Sequence, residues 1–322
     1  MRKIIFSGCL TFLLTVVLTL GAVTAAGIYY VGGYFSDMAF KRGTAEDPKA
    51  PPAVFRTVFL SNGGRINPAS RPRNMREAAV WTMRSFDGLS LKATHFAPHT
   101  ESNRWVILVH GYGMSQAYTW NYAEEYLRAG YHVLTPDMRA SGESEGVYLT
   151  MGALESRDLA DWAARIGKED KEAQIALHGV SMGAATVLLA AAKELPPQVV
   201  AVVEDAGYTS LYRLFEFEMG RLFSLPAFPI LDMADIMGQQ RAGFSFAEVQ
   251  PIEAVKKSRL PVLFIHGTGD LLIPAAMEKE LYRACAAEKA ELIIPKAVHA
   301  AAWQDARYFP TVLRFLDKYL KE

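Results

Sequence analysis

Net charge is absent from this sequence: 34 Lys and Arg stand against 34 Asp and Glu over 322 residues. That balance gives no electrostatic case for nucleic acid or another polyanion as a partner. Cysteine is scarce. Cys9 lies inside a very apolar N-terminal run and Cys285 far along the chain, so the two are not expected to form a bridge, and no metal-ligand spacing exists. A nucleotide-binding G-x-G-x-x-G or Walker lysine is also missing, and no internal repeat is found. Neither metal nor cofactor is therefore expected.

Charge is missing in a second sense. Arg2 and Lys3 precede a stretch without a charged residue from 4 to 36. A signal peptide's apolar core is about 7–15 residues and a spanning helix needs about 20. The run meets the longer requirement, and Tyr29, Tyr30, Tyr34 and Phe35 cluster where an outer aromatic belt would lie. Residues 1–36 are thus expected to be an N-terminal transmembrane helix in the cell membrane, with the rest of the chain outside the cytoplasm. The rival reading is a signal peptide cleaved after Val23-Thr24-Ala25, which would leave a secreted protein.

Residues 37–75 carry Pro48, Pro51, Pro52, Pro68 and Pro72 without a sustained period, and read as a linker. From 76 to 322 the texture is that of a folded domain. Strands are expected at 80–83 and 91–96 around the turn Asp87-Gly88, then at 105–109, 131–135, 175–177, 199–203, 262–265 and 292–294. Helical patterns alternate with them: Trp120, Ala123 and Leu127; Leu159, Trp162 and Ile166; 182–193; a helix from about Ala275; and a last one from Pro310. The alternation predicts an α/β fold with a mainly parallel, doubly wound sheet and an antiparallel N-terminal hairpin. A helical, aromatic and Met-rich insertion at about 209–250 breaks it and has the composition of a lid. Phe215, Met219, Phe223 and Phe228 are its candidates for substrate contact, with an extra packed layer as the bland alternative.

Gly179-Val180-Ser181-Met182-Gly183 fits G-x-S-x-G, a weak pattern alone. Its setting strengthens it, because a strand leads in and an Ala-rich helix leads out. A serine on such a turn is forced out above the sheet, beside a helix N-terminus. An ordinary N-cap is the alternative. A nucleophilic serine needs a base, and the base an orienting acid. Asp270 follows the strand at 262–265, and His299 follows the strand at 292–294. Ser181, Asp270 and His299 thus stand in the order serine, acid, histidine. Asp205, ending another strand, is the second choice of acid. Asp137 reads as structural, paired with Arg139, and His110, His178 and His266 as bonding loop backbone. An oxyanion would be met by the amides of Met182 and of Tyr112, the latter held between Gly111 and Gly113.

With HGYG at 110–113, DMRASGESEG at 137–146, GVSMG at 179–183, HGTGD at 266–270 and His299 in hand, the chain resembles the α/β-hydrolase superfamily from about Ala79 onward. EDAGYTS at 204–210 and the stretch 241–267 look like a bacterial group of anchored or secreted hydrolases, related to Bem46-like proteins and loosely to serine aminopeptidases. The resemblance implies the same triad at matching positions and no agreed substrate. Arg139-Ala140-Ser141-Gly142 departs from the family's usual R-G-x-G, which touches loop packing more than chemistry. The expectation is a serine hydrolase that cleaves an ester, thioester or related acyl bond of a small-molecule or lipid-like substrate. A peptidase or amidase is the alternative within the fold, and a non-catalytic binding protein the alternative outside it.

Overall fold

The computed structural model describes residues 2–43, 47, 49, 50 and 70–321, with the side chains of 2–11 left aside. Eight strands form one sheet in the order β1-β2-β4-β3-β5-β6-β7-β8. They are β1 (Glu77–Arg84), β2 (Ser90–Ala97), β3 (Arg104–Val109), β4 (His132–Pro136), β5 (Gln174–Val180), β6 (Val199–Asp205), β7 (Val262–Gly267) and β8 (Lys289–Ile294). β1 and β2 form an antiparallel hairpin, β2 pairs antiparallel with β4, and every other pairing is parallel. β5 and β6 read as almost continuous apolar runs because both of their faces are covered.

Helices cover both faces. On one side α3 (Glu155–Glu169) contributes Leu159, Trp162 and Ile166, at the spacing of a single helical face, and α4 (Met182–Ala191) contributes Val187 and Leu188. On the other, α2 (Trp120–Arg128) and α9 (Tyr308–Leu316) bring Tyr122, Tyr126, Tyr308 and Val312 together. The doubly wound architecture expected from the alternation is present. The insertion folds as α5 (Leu211–Glu218), a π-helical turn at Met219–Phe223 and α6 (Ile230–Ala242), followed by α7 (Pro251–Lys257) and, after β7, α8 (Ala275–Ala284). In the loop after β4, Ala140 takes the family's glycine position at φ 55°, and its N–H donates to the Glu145 carbonyl at 2.9 Å.

The N-terminal helix α1 (Arg2–Phe40) is 39 residues long, and its stretch from Phe12 is apolar and long enough to cross a membrane. It continues past the expected end at 36. Residues 37–43 are not a spacer: Phe40 is 1% exposed, packed edge-on against Phe244 and Phe246. The Arg42 N–H donates to the Val147 carbonyl at 2.7 Å, and the Phe40 carbonyl accepts from the Leu149 N–H at 2.9 Å. The helix runs through Asp37, which pairs with Arg241 of α6 at 2.8 Å. Most of the rest of the expected linker lies outside the described residues.

Candidate active site

Ser181 stands at the turn between β5 and α4 with φ 60° and ψ −119°, a conformation that costs a residue with a side chain about 1–3 kcal/mol. Two glycines permit it. A Cβ on Gly179 would stand 2.0 Å from the Gly183 carbonyl oxygen, and one on Gly183 would stand 2.1 Å from that of Val109. The Ser181 N–H donates to the Asp205 carbonyl at 2.8 Å, which ties the turn to β6. Its side chain makes no capping bond, so the N-cap alternative is not what the hydroxyl does. Instead Oγ lies 2.8 Å from Nε2 of His299.

His299 follows β8 and Asp270 follows β7, so all three side chains stand over the carboxyl ends of parallel strands. Nδ1 of His299 is 2.7 Å from Oδ2 of Asp270. The other oxygen, Oδ1, accepts the N–H groups of Leu272 and Ile273, each at 2.9 Å, which fixes the carboxylate plane. An ionised Asp270 has no proton to offer, so Nδ1 carries the imidazole hydrogen and the Nε2 lone pair faces the serine hydroxyl. Burial alone would lower the basicity of His299. The charge of Asp270 and its hydrogen bond outweigh that, and the net shift is upward. Burial likewise opposes ionisation of Asp270, but the His299 charge and hydrogen bond carry it below the ordinary carboxylate value.

The loop after β3 passes directly over the serine: a Cβ on Gly111 would lie 3.3 Å from that of Ser181. Gly113 adopts φ 65° and the Met114 N–H closes a turn on the Gly111 carbonyl. Tyr112 and Met182 line the same cavity as Ser181.

Asp205, the alternative acid, does not bond the imidazole. Its Oδ2 accepts from the Tyr308 hydroxyl at 2.8 Å, and that hydroxyl also meets Nε2 of His178 at 3.0 Å. Nδ1 of His178 faces the Tyr126 hydroxyl at 2.9 Å. His178 therefore joins a buried tyrosine network instead of loop backbone, a correction to the sequence expectation, and burial pushes its pKa down to about 3. His110 and His266 do bond loop carbonyls, at Gly111 and Ile273. Asp137 is structural without Arg139: it accepts from the backbone and side chain of Gln116 and from the Glu143 N–H. Arg139 pairs with Asp158 and Asp87.

A cavity of about 110 Å³ opens beside Ser181. Phe215, Met219 and Phe223 line it. Phe228 does not; it stands 73% exposed on the lid. Phe35, Met38, Ala39 and Phe40 of α1 complete the wall; the sequence pattern assigns Phe35 to an aromatic belt and none of the four to the site. Their signal was present, since apolar residues recur at helical spacing to Phe40, but the proline-rich segment beyond suggested that helix had ended. Among the lining residues one is charged, Glu218, and both its oxygens are held by Arg221 at 3.0 and 2.7 Å. Among the described residues no cluster of three or more His, Cys, Asp or Glu could hold a metal ion.

Residues 87–245 match the X-Pro dipeptidyl-peptidase (S15 family). The chain is 31% identical over 244 residues to the uncharacterized protein YqkD of Bacillus subtilis (strain 168), spanning 75% of this chain and 80% of YqkD. It is 28% identical over 250 residues to the uncharacterized protein Rv2307c of Mycobacterium tuberculosis (strain ATCC 25618 / H37Rv), covering 76% and 79%. Among solved structures, the esterase Pf2001 of Pyrococcus furiosus superposes with a TM-score of 0.62 at 22% identity, over 79% of this chain and all of its own. The acylaminoacyl peptidase of Pyrococcus horikoshii superposes with a TM-score of 0.60 at 17% identity, over 78% of this chain and 43% of its own.

Proposed function

This chain belongs to the α/β-hydrolase superfamily and is a serine hydrolase of that type; from that premise we propose that it cleaves ester, thioester or related acyl bonds, with Ser181 as nucleophile, His299 as base and Asp270 as the acid that orients it. The observation that carries the reading is the unbroken chain from Oγ of Ser181 to Nε2 of His299 at 2.8 Å and from Nδ1 to Asp270 at 2.7 Å, beside an apolar cavity.

In the first step Oγ attacks the acyl carbonyl carbon and its proton passes to Nε2 of His299. The oxyanion that forms accepts hydrogen bonds from the amides of Met182 and Tyr112, donors fixed in position before reaction. His299 then returns the proton to the departing alkoxide or thiolate as its bond to the acyl carbon breaks, leaving acyl-Ser181. A water, deprotonated by His299, releases the acid and restores the hydroxyl. Asp270 stays ionised throughout and stabilises the imidazolium.

A peptidase reading draws on the name of the matched family and on the acylaminoacyl peptidase among similar folds. A substrate amine would need an available acid, and the cavity's carboxylate, Glu218, is already engaged by Arg221. That favours an uncharged acyl group. A panel of acyl esters and thioesters against peptide amides, read together with labelling by a serine-directed fluorophosphonate, tests the proposal. Wild type should label and cleave the esters, and Ser181→Ala should do neither. Labelling retained in the variant, or cleavage of amides alone, would overturn it. Retention of α1 as the membrane anchor, with the catalytic domain outside the cytoplasm, is proposed on the length of its apolar run.

A further inference from the structure

The helix that is long enough to span a membrane is also a wall of the cavity beside Ser181. Its two halves live in different surroundings. From Phe12 to Tyr30 it is exposed except for half-buried Ile28, an apolar length of roughly 28 Å at 1.5 Å per residue. The hydrocarbon core of a bilayer is about 30 Å thick, so this half matches one crossing. From Gly32 to Phe40 it is clamped to the domain. Gly32 abuts Met233 so closely that a Cβ would stand 2.4 Å from its Cγ, and Arg241 holds both the Gly33 carbonyl and Asp37. The Tyr112 hydroxyl donates to the Ala39 carbonyl at 2.6 Å.

The changeover lies at the cavity's rim. Tyr29, Tyr30 and Tyr34 are exposed there, as an interfacial aromatic belt would be. Phe35, half-buried, and Phe223, exposed, both line the cavity and meet edge-on with ring centroids 5.4 Å apart. Beyond Phe223 the lid exposes Phe228 at 73% and part of Leu225. The Phe35–Phe223 contact therefore joins the helix that carries the aromatic belt to the lid at the cavity, and the exposed residues named on both are apolar or aromatic.

Resting on the proposed hydrolase activity, we propose that the substrate is an acyl lipid drawn from the same bilayer that holds α1, its chain passing between Phe35 and Phe223 to reach Ser181. The catalytic domain sits on the membrane surface, with Leu225 and Phe228 immersed in the interface, and is not held away from it. A lid joined through Phe35 to a helix long enough to span a bilayer meets lipid, and an apolar cavity whose carboxylate is engaged takes an uncharged acyl chain.

The test uses the full chain reconstituted in phosphatidylcholine vesicles carrying a trace of a fluorogenic diacylglycerol. A short-chain water-soluble ester and fluorophosphonate labelling serve as controls. Wild type should cleave the vesicle lipid. The double variant Leu225→Asp, Phe228→Asp, whose positions lie outside the cavity wall, should lose at least about tenfold on vesicle lipid, a loss near 1.4 kcal/mol in activation free energy, while its labelling and soluble-ester turnover stay at the wild-type level. Vesicle lipid left intact by a wild type that labels and cleaves the soluble ester overturns the inference alone, as does equal lipid turnover by the double variant. A wild type that neither labels nor cleaves any ester overturns the hydrolase reading and the inference with it.

Discussion

The hydroxyl of Tyr112 donates a hydrogen bond to the carbonyl oxygen of Ala39 at 2.6 Å, tying the loop over the serine to the last turn of the N-terminal helix. A residue whose amide is proposed to meet the oxyanion is thus positioned by the segment that would anchor the chain. Tyr112→Phe keeps the amide and the ring but removes this tie, an interaction of about 0.5–1.5 kcal/mol. Soluble-ester kcat should fall by several-fold with KM little changed, and the melting temperature should drop by a few degrees. Unchanged kcat in a steady-state assay would show that the loop is positioned without α1.

Removing the triad one member at a time should separate chemistry from strain. Ser181→Ala, His299→Ala and Asp270→Asn should each lower kcat by about 10⁴-fold or more. Ser181→Gly should be equally inactive yet more stable by about 1 kcal/mol, because glycine tolerates φ 60° and ψ −119°. Chemical denaturation of the two serine variants reads the difference.

The acid limb of the pH profile should report His299. Burial depresses its basicity, the Asp270 charge more than restores it, and the net pKa lies above the ordinary imidazole value of 6.5. Catalysis needs the neutral ring, so kcat/KM should fall on the acid side with a midpoint above 6.5. The residual activity of Asp270→Asn should show that limb moved to lower pH, since burial then acts unopposed. An acid limb that stays put in the variant would separate Asp270 from the base.

Asp205 should matter to stability more than to turnover. Burial, opposed by the Tyr308 hydrogen bond, pushes its carboxyl up to about 7, against an ordinary 3.8. Between those values the folded state keeps the proton and the unfolded state loses it, so stability falls as pH rises from about 4 to 7 and then levels. Asp205→Asn should escape that decline, so its advantage over wild type in urea melts should grow from pH 4 to 7. Its ester turnover should stay within about tenfold of wild type at pH 8. A larger loss than that of Asp270→Asn would move the orienting acid to 205.

Truncation should distinguish the two halves of α1. Deleting residues 1–26 removes the exposed apolar stretch and leaves the clamped turns in place, so soluble-ester activity should survive. Deleting 1–40 also removes Phe40, whose burial contributes about 1.5–3 kcal/mol, and exposes Phe215, Phe244 and Phe246 to water. The longer deletion should melt several degrees lower and lose most of its activity.

Sequence alone determined the strand–helix alternation, and with it the sheet, because burial on both faces writes β5 and β6 as apolar runs that a neighbouring chain segment cannot disguise. It also determined the glycines around Ser181 and the order of serine, acid and histidine, since those follow from local backbone geometry and from which strand each loop ends. What it left open was decided by contacts between distant segments. Asp205 ends β6 and Asp270 lies on the loop after β7, and packing decides between them: Tyr308 of α9 bonds Asp205 while Asp270 bonds the imidazole. His178 was drawn from loop backbone into a tyrosine network for the same reason. The end of α1 is the clearest case: Asp37 followed by a proline-rich stretch reads as a spacer, and it becomes a cavity wall because Arg241, some two hundred residues away, neutralises that charge and the aromatic cluster takes in Phe40.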